Sequence, residues 1–355
     1  MTILWINLAV VYILSFLSRA LAVPSTIGAA FVRPNKIFVF FVVVSLVLIS
    51  GLRRNIGDTP FYMHSYTLVP QYSWDYILSQ EEKGFIFLQL LLHKFSDNPQ
   101  ILLFTAALIT NVLIVLVLYQ YSRLFELSLY VYITSGLYIV SMNGIRQFLA
   151  GAILFAATKY IMDGSWKKYM LVVLLASTIH QSALILIPIY FIVRRKAWTG
   201  TTLLLLSSAI IMVIGYNQLS GAFFDAIGDR FGQYKDSQEG GTNAIRVIVQ
   251  VAPLLLAYFG REKLRELFPN SDYIVNLSLL GAIFMIISTQ NWVFARFMIY
   301  FGLYNLILIS WAVHLFVKKE QKFVYYAILI CYFTYSYYET VISLGIIYRS
   351  NYFSL

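Results

Sequence analysis

The chain has 355 residues, of which 60% are hydrophobic and only 12% are charged, and its mean hydropathy is +0.74. A soluble domain of this size has too little interior to hide so much apolar surface, so the composition excludes one and indicates a polytopic membrane protein. The net charge of +10 comes without a long basic stripe or a recognition motif. We therefore expect loop charges that face anionic membrane lipids, and no nucleic acid as a partner.

Taken in chain order, the apolar runs predict ten full membrane spans. They are 3–18, 36–51, 100–120, 127–142, 145–162, 199–219, 244–260, 273–290, 297–317 and 323–338. We interpret the first run as a span because it has no basic segment and no small-residue cleavage site of a signal peptide. Two further apolar segments, 84–95 and 170–193, are expected to be re-entrant or half-length. The expected fold is an all-α membrane bundle, with residues 1–355 as a single integral membrane domain.

Segment 170–193 has no Lys, Arg, Asp or Glu, has a polar break around His180 at its centre, and is flanked by basic residues on both sides. A membrane span is normally basic on its cytoplasmic side only. With the N-terminus outside and this segment not crossing, sixteen of the 26 Lys and Arg residues fall inside. A single crossing would instead place the nine basic residues at 194–196, 261–265 and 318–322 outside. The charges therefore predict a cytoplasmic hairpin with His180 at its tip, where an ionisable group is a candidate functional residue.

Several arginines are expected at helix ends on the outer side, which usually has few of them. Arg53 and Arg54 follow the second predicted span, Arg146 lies in a tight turn between two spans, and Arg296 opens another span. A guanidinium group is planar, permanently charged and matched to phosphate oxygens, so three or four of them together would form a diphosphate clamp. The alternative interpretation is that these side chains extend to lipid head groups.

Asp58 and His180 are candidate proton acceptors. The alternative interpretation of Asp58 is a loop residue that starts a turn before Pro60. The alternative for His180 is a buried histidine whose ring is hydrogen-bonded to a carbonyl group or to Ser182. The polar, Gly-rich segment 220–243 is a candidate gate or sugar contact, with a plain connector as the alternative.

The sequence lacks the motifs of several common catalytic, nucleotide-binding and metal sites. There is no Gly-x-Ser-x-Gly elbow, no P-loop and no histidine pair at metal-ligand spacing, and Asp58 has no acidic neighbour for a divalent-metal site. We therefore expect neither a metal ion nor a cofactor. The single Cys331 excludes an intramolecular disulfide.

Four short motifs, in order along nearly the whole chain, resemble the EpsG family of Wzy-like polysaccharide polymerases. They are Gly51-Leu-Arg … Gly57-Asp58-Thr … Tyr62, Asn143-Gly-Ile-Arg146-Gln147, Ile179-His180-Gln-Ser-Ala-Leu … Tyr190, and Ala295-Arg296-Phe … Tyr300. The chain departs from the family at one point, because the first motif usually reads Gly-Thr-Asp whereas here Gly57 directly precedes Asp58.

The resemblance implies a multi-pass protein of the bacterial plasma membrane that polymerises exopolysaccharide of the biofilm matrix. Such a glycosyltransferase joins repeat units carried on polyprenyl diphosphate at the outer membrane face, in a helical bundle like that of other membrane glycosyltransferases of the C class. The implied partners are polyprenyl-diphosphate-linked oligosaccharides, membrane lipids and other membrane proteins of exopolysaccharide assembly.

For this reaction, we assign stabilisation of the leaving diphosphate to Arg146 and Arg296. Arg53 is expected to assist, and both Arg53 and Arg54 are expected to bind substrate. No metal ion is needed in this scheme, because the arginines supply the positive charge.

The base that accepts the proton of the attacking hydroxyl group is assigned to His180 or Asp58. The other polar residues of the motifs are expected to bind substrate: Tyr62, Asn143, Gln147 and Tyr300. Two alternatives remain open at this stage, a flippase of lipid-linked oligosaccharides and a membrane O-acyltransferase that uses His180.

Overall fold

The computed structural model describes residues 1–24, 32–216 and 240–353. The regular structure in these ranges is helical, apart from an antiparallel pair of two-residue strands, β1 (Val23–Pro24) and β2 (Val32–Arg33). The α-helices are α1 (Thr2–Ala20), α2 (Lys36–Gly51), α3 (Thr59–Leu68), α4 (Trp74–Ser79), α5 (Lys83–His93), α6 (Gln100–Tyr121), α7 (Phe125–Thr134), α8 (Leu137–Asn143), α9 (Ile145–Ala156), α10 (Thr158–Met162), α11 (Trp166–Ile179), α12 (Leu186–Val193), α13 (Gly200–Ile214), α14 (Ala244–Phe259), α15 (Arg261–Leu267), α16 (Ser271–Ile287), α17 (Val293–Ala312) and α18 (Lys318–Tyr337). The predicted all-α, multi-pass membrane fold is confirmed.

The chain divides into two compact units. The first unit consists of residues 1–188 and 309–355, and the second consists of residues 189–308. A single membrane domain over residues 1–355 stays a prediction.

The predicted spans appear as helices of unequal length. By length and composition, three helices of the described residues are able to cross a membrane: α1, α6 and the continuous stretch Val293–Leu315. Two bent pairs, α7 with α8 and α14 with α15, raise this number to five if each pair counts as one span. The other predicted spans correspond to shorter or more polar helices, among them α2, α9, α13, α16 and α18.

Local breaks explain the shorter pieces. Predicted span 127–142 bends by 54° between α7 and α8, where Gly136 adopts a left-handed conformation (φ 87°). Predicted span 145–162 is interrupted at Ala157, between α9 and α10. Apolar composition places these residues in a membrane, but it does not specify such breaks.

Helix α6 defines two ends of the first unit, because its 22 residues rise about 33 Å, close to the thickness of a hydrocarbon core. At its start, the Gln100 side chain donates hydrogen bonds to the carbonyl oxygens of Gly51 (2.6 Å) and Arg53 (3.2 Å). At its end, the Trp311 indole donates to the carbonyl oxygen of Tyr121 (2.8 Å). We name these the Gln100 end and the Tyr121 end.

Two arginines that the charge pattern assigns to opposite sides of the membrane can be compared with these two ends. The Arg19 guanidinium pairs with buried Glu126 at 2.7 Å, five residues after Tyr121, whereas Arg53 lies at the Gln100 end. The sequence assigns Arg19 to the inside and Arg53 to the outside. The two arginines therefore lie at opposite ends of the first unit, and which of these ends faces outside stays a prediction.

A buried apolar cluster at the Gln100 end joins the starts of α6 and α9 to α3 and α5. Its members are Tyr62, Tyr66, Phe85, Leu92, Leu102, Leu103, Ala106 and Ile145. Partly buried Ile179, the last residue of α11, packs against it. The end of α11 thus lies beside the start of α9.

The C-terminal segment 347–351 returns to the Gln100 end and is hydrogen-bonded to residues 52–55. The bonds are Arg54 N to Arg349 O (2.8 Å), Asn55 Nδ2 to Ile347 O (2.7 Å) and Ser350 Oγ to Leu52 O (2.6 Å). Since both segments lie at one end, the chain between them crosses a membrane an even number of times. The predicted topology, with eight spans between them and with 84–95 and 170–193 not crossing, satisfies this condition.

The predicted break in segment 170–193 is present. Helix α11 ends at Ile179, His180 is extended (φ −150°, ψ 114°), and a 3-10 turn over Gln181–Ile185 leads into α12. The 14 residues of α11 rise only about 21 Å, which is less than the roughly 30 Å of a hydrocarbon core.

The hairpin predicts that Lys168 and Arg194 lie on the same side of the membrane. We expect Lys168→Cys and Arg194→Cys to react with an impermeant thiol reagent only in inside-out vesicles. Because Cys331 is a free, exposed cysteine, the experiment uses a Cys331→Ser background. Labelling of one position from the outside alone would contradict the hairpin.

Candidate active site

The Glu82 carboxylate joins three segments of the first unit. Glu82 immediately precedes α5 and is buried. Its Oε2 atom accepts a hydrogen bond from an Arg146 terminal nitrogen at 2.6 Å. Its Oε1 atom accepts a hydrogen bond from the backbone N–H of Gln181 at 3.2 Å. The same oxygen lies 2.6 Å from His180 Nδ1, a close ionic approach in which the ring nitrogen is not aligned for a hydrogen bond. A charged group at the start of α5 thereby connects the start of α9 to the break after α11.

Local backbone structure brings these groups together. Arg146 is the second residue of α9, immediately after the Gly144 break that separates α9 from α8. Gly84, at the start of α5, packs so closely against Thr178 that a methyl group there would collide with the Thr178 side chain. A small residue at position 84 therefore lets α5 approach the end of α11.

The Arg146 guanidinium is partly open to solvent. Its side chain is 33% exposed, compared with 15% for His180 and 8% for Glu82. The guanidinium carbon lies 5.9 Å from the Tyr62 ring centroid and 6.0 Å from that of Phe85, at the limit of cation–π distances. Its Nε atom is buried and has no hydrogen-bond partner among the described residues. Arg146 is therefore paired with Glu82 through a terminal nitrogen while part of its side chain stays open to solvent.

Asp58 lies at the start of α3, where Asn143 fixes the backbone. The backbone N–H of Asp58 donates to Asn143 Oδ1 at 2.9 Å, and the Asp58 residue is exposed. Gly57 adopts a left-handed conformation (φ 51°), and a methyl group there would collide with the Asn143 amide. Asn143 therefore connects the end of α8, just before Arg146, to the turn that carries Asp58.

Arg53 and Arg54 face different surroundings. The Arg53 side chain is buried and donates to the carbonyl oxygens of Ser50 and Met142 (2.6 Å for Met142) and to Thr59 Oγ1 (3.0 Å). Burial lowers the pKa of Arg53 to about 10, against the opposing effect of nearby tyrosines, so it stays protonated at neutral pH. Arg54 is exposed and donates to Asn351 Oδ1 at 3.2 Å. The guanidinium of Arg53 is thus committed to the protein, whereas Arg54 lies at the surface.

The remaining sequence-predicted residues are spread over both units. Gln147 is buried in α9 of the first unit. In the second unit, Tyr300 is buried in α17 and the Arg296 guanidinium lies 4.8 Å from the Trp292 ring centroid. Most of the predicted gate segment, residues 220–239, lies outside the described residues.

Sequence reasoning did not identify Glu82. Its partners are 64 and 99 residues away in the chain, so no local spacing reveals the cluster. The available signal was electrostatic, because charged side chains in membrane proteins commonly pair with opposite charges, and Glu81-Glu82 is the only pair of adjacent acidic residues in the sequence.

Comparison with known proteins gives a family match. A model of the EpsG family matches residues 36–353, nearly the whole chain. No curated protein and no solved structure matches the sequence or the fold.

The Gly57 turn predicts a stability difference between two glycine substitutions. Gly57→Ala and Gly345→Ala impose the same left-handed strain, since their φ angles are 51° and 54°, but only Gly57 faces a side chain within contact distance. We expect each substitution to lower the free energy of unfolding by roughly 1–2 kcal/mol, which is the cost of placing an alanine in the left-handed region. Gly57→Ala should lower it further. Thermal unfolding in detergent measures both, and equal losses would contradict the Asn143 contact.

The Glu82 bridge predicts that Glu82→Gln destabilises the first unit by about 1–3 kcal/mol, because the buried partners lose a charged acceptor. Glu81→Gln is the matched control, since it removes the same charge from the adjacent, exposed residue. Thermal unfolding in detergent should separate the two variants. Identical melting temperatures would show that the Glu82 contacts contribute no stability.

Proposed function

The chain belongs to the EpsG family, and from this premise we propose that it is an exopolysaccharide polymerase, a membrane glycosyltransferase that joins repeat units carried on polyprenyl diphosphate. Family membership supports a polysaccharide polymerase. The substrate, the outer membrane face and the plasma membrane of a bacterium as its location are parts of the proposal.

The observation that carries the mechanism is the Glu82 bridge between Arg146 and His180. Arginine binds phosphate oxygens with several N–H donors, and histidine is the side chain most often used to transfer protons near neutral pH. One carboxylate holds both groups at the end of the first unit that the charge pattern places outside. Their partial exposure leaves room for a ligand to approach.

The proposed reaction is a displacement at the anomeric carbon of the donor. A hydroxyl oxygen of the acceptor oligosaccharide forms the new glycosidic bond, and the bond from the anomeric carbon to the diphosphate oxygen breaks. The polyprenyl diphosphate leaves with the bonding electrons. The hydroxyl proton passes to His180, which later returns it to solvent.

Glu82 positions His180 for this step. In the proposal the proton of the neutral ring lies on Nδ1, 2.6 Å from Glu82 Oε1, so that Nε2 is the atom that accepts the proton of the acceptor hydroxyl. Such a base contributes about 10²–10⁴-fold to the rate. The Gln181 backbone bond to the same carboxylate orients the bridge and the ring together.

The charge of the cluster changes in the direction that the reaction needs. With His180 neutral, the charges of Glu82 and Arg146 cancel. When His180 gains the proton, the three groups carry a net positive charge while the diphosphate develops its negative charge. Preorganised positive charge near a leaving group usually accelerates such a reaction more than any other single effect.

The other predicted residues take supporting roles in this proposal. Arg296 and Arg54 remain proposed ligands of the diphosphate, and Asp58 remains the alternative base. Arg53 holds the backbone of Met142 next to the site. Tyr62, Asn143, Gln147 and Tyr300 are proposed to line the substrate path, and neither a metal ion nor a cofactor is required.

Arg146→Lys tests the diphosphate contact, because lysine retains the charge but loses the planar set of donors. In proteoliposomes with a synthetic polyprenyl-diphosphate-linked repeat unit, we expect the rate of chain growth to fall about 10²–10³-fold. Arg349→Lys, at another exposed arginine of the Gln100 end, is the control. Unchanged chain growth in both Arg146→Ala and Arg296→Ala would rule out the arginine contacts.

His180→Ala tests the base, and His64→Ala serves as the control because His64 is exposed on α3. We expect about a 10²–10⁴-fold loss of chain growth for His180→Ala only. In cells, a polymerase variant would accumulate single lipid-linked repeat units outside the membrane. Accumulation inside would indicate a flippase, and a full-length polymer without acyl groups would indicate an O-acyltransferase.

A further inference from the structure

Helix α5 stays at the Gln100 end of the first unit along its whole length. Phe85 in its first turn and Leu92 in its last turn both belong to the buried apolar cluster at that end. Residues 84–93 contain no Lys, Arg, Asp or Glu, although the cluster covers only one face of the helix. A helix that is apolar on all sides and covered on one needs an apolar environment on its other side.

The other face of α5 carries Gly84, Phe87 and Leu91, which follow one another at i, i+3 and i+7. The Phe87 and Leu91 side chains are exposed. Trp74 of α4 is also exposed, and its ring centroid lies 6.5 Å from that of Phe87. Tryptophan is enriched where membrane proteins meet lipid head groups, so this face has the composition of a lipid-contact surface.

Helix α11 has an exposed face with similar spacing. Its members recur at i, i+3, i+4 and i+7 and are all exposed: Leu171, Leu174, Leu175 and Thr178. Thr178 packs directly against Gly84. Because each of these two residues lies on the uncovered face of its own helix, the faces meet in one continuous, mainly apolar surface. We name it the α5–α11 surface.

The α5–α11 surface begins beside the candidate active site. Glu82 precedes Gly84 by two positions, and His180 follows Thr178 by two positions, so the Glu82 bridge lies next to the point where the two faces meet. The partly exposed Arg146 guanidinium supplies positive charge there. From this point the exposed face of α11 extends for about 10 Å of helix away from the site.

We propose that the α5–α11 surface binds the polyprenyl chain of the lipid-linked donor, so that the diphosphate reaches Arg146 while the chain stays among the membrane lipids. An anionic head attached to a long apolar chain matches a guanidinium beside a continuous apolar surface. A phospholipid has the same two parts, and the experiment distinguishes it. Because the lipid is the proposed donor, this assignment rests on the proposed function.

The test uses the full chain in proteoliposomes and an undecaprenyl diphosphate that carries a photoactivatable diazirine in its isoprenoid chain, close to the diphosphate. We expect mass spectrometry to locate the label on the α5–α11 surface, and excess unlabelled undecaprenyl diphosphate to displace it. Excess phosphatidylglycerol should not displace it. Label on this surface that unlabelled undecaprenyl diphosphate does not displace would mean contact with bulk lipid and would overturn the assignment.

Leu174→Ala/Leu175→Ala removes part of the surface and leaves the charged groups in place. We expect the concentration of unlabelled undecaprenyl diphosphate that halves the labelling of α5 to rise about three- to tenfold, because less apolar area remains for the chain. Leu203→Ala/Leu204→Ala is the matched control, since it changes two adjacent, exposed leucines of α13 in the second unit. No rise in the first variant, or an equal rise in both, would overturn the assignment.

Chain growth from a synthetic lipid-linked repeat unit, measured in the same proteoliposomes, separates this assignment from the proposed function. Polymer formation with label only outside the α5–α11 surface would overturn the assignment and leave the polymerase intact. Displaceable label on the surface without any polymer would support the lipid site and contradict the polymerase. Absence of both polymer and displaceable label would contradict both.

Discussion

The Glu82 carboxylate is the interaction on which the candidate site depends. A buried carboxylate is costly unless hydrogen bonds and opposite charges compensate for lost hydration. Here a guanidinium, an imidazole nitrogen and a backbone N–H group surround it. Since these partners come from two other segments of the chain, the same contacts that satisfy the carboxylate also fix the starts of α5 and α9 relative to the end of α11. Stability and site geometry thus have a common origin.

A second polar network holds the chain that leads into the Glu82 contacts. Arg53 joins the end of α2 to the carbonyl oxygen of Met142, and Asn143 joins the next residue of the chain to the turn before α3. The C-terminal segment 347–351 is hydrogen-bonded to the same loop after α2. Together these contacts hold the chain just before Arg146, so that α9 begins at a fixed position. The tail of the protein therefore contributes to the framework around the site.

The sequence predicted features that depend on local pattern. The break at His180, the short helix near 84–95 and the turn before Arg146 follow from charge, hydropathy and glycine placement, and the structure contains all three. The pairing of Glu82 with Arg146 and His180 is a long-range contact, which local spacing does not encode. The choice between adjacent Arg53 and Arg54 depends on which side chain turns inward, and this is set by acceptors as far away as Met142. Helix breaks such as that at Gly136 likewise depend on backbone geometry that apolar composition does not report.

The predicted hairpin also raises a question of reach, because an arm that enters from the cytoplasm has to meet groups predicted to face the outside. The contact of His180 with Glu82, and of Ile179 with the apolar cluster that contains Ile145, brings the end of this arm to the start of α9.

The central claim is therefore that Glu82 and His180 act as one unit in chain growth. A double-mutant cycle with Glu82→Gln, His180→Asn and the double variant, measured as the rate of polymer formation from a synthetic lipid-linked repeat unit, tests it most directly. We expect the double variant to be no slower than the slower single variant, because the second change removes a function already lost. Losses that multiply in the double variant would show that the two residues act independently and would contradict the account.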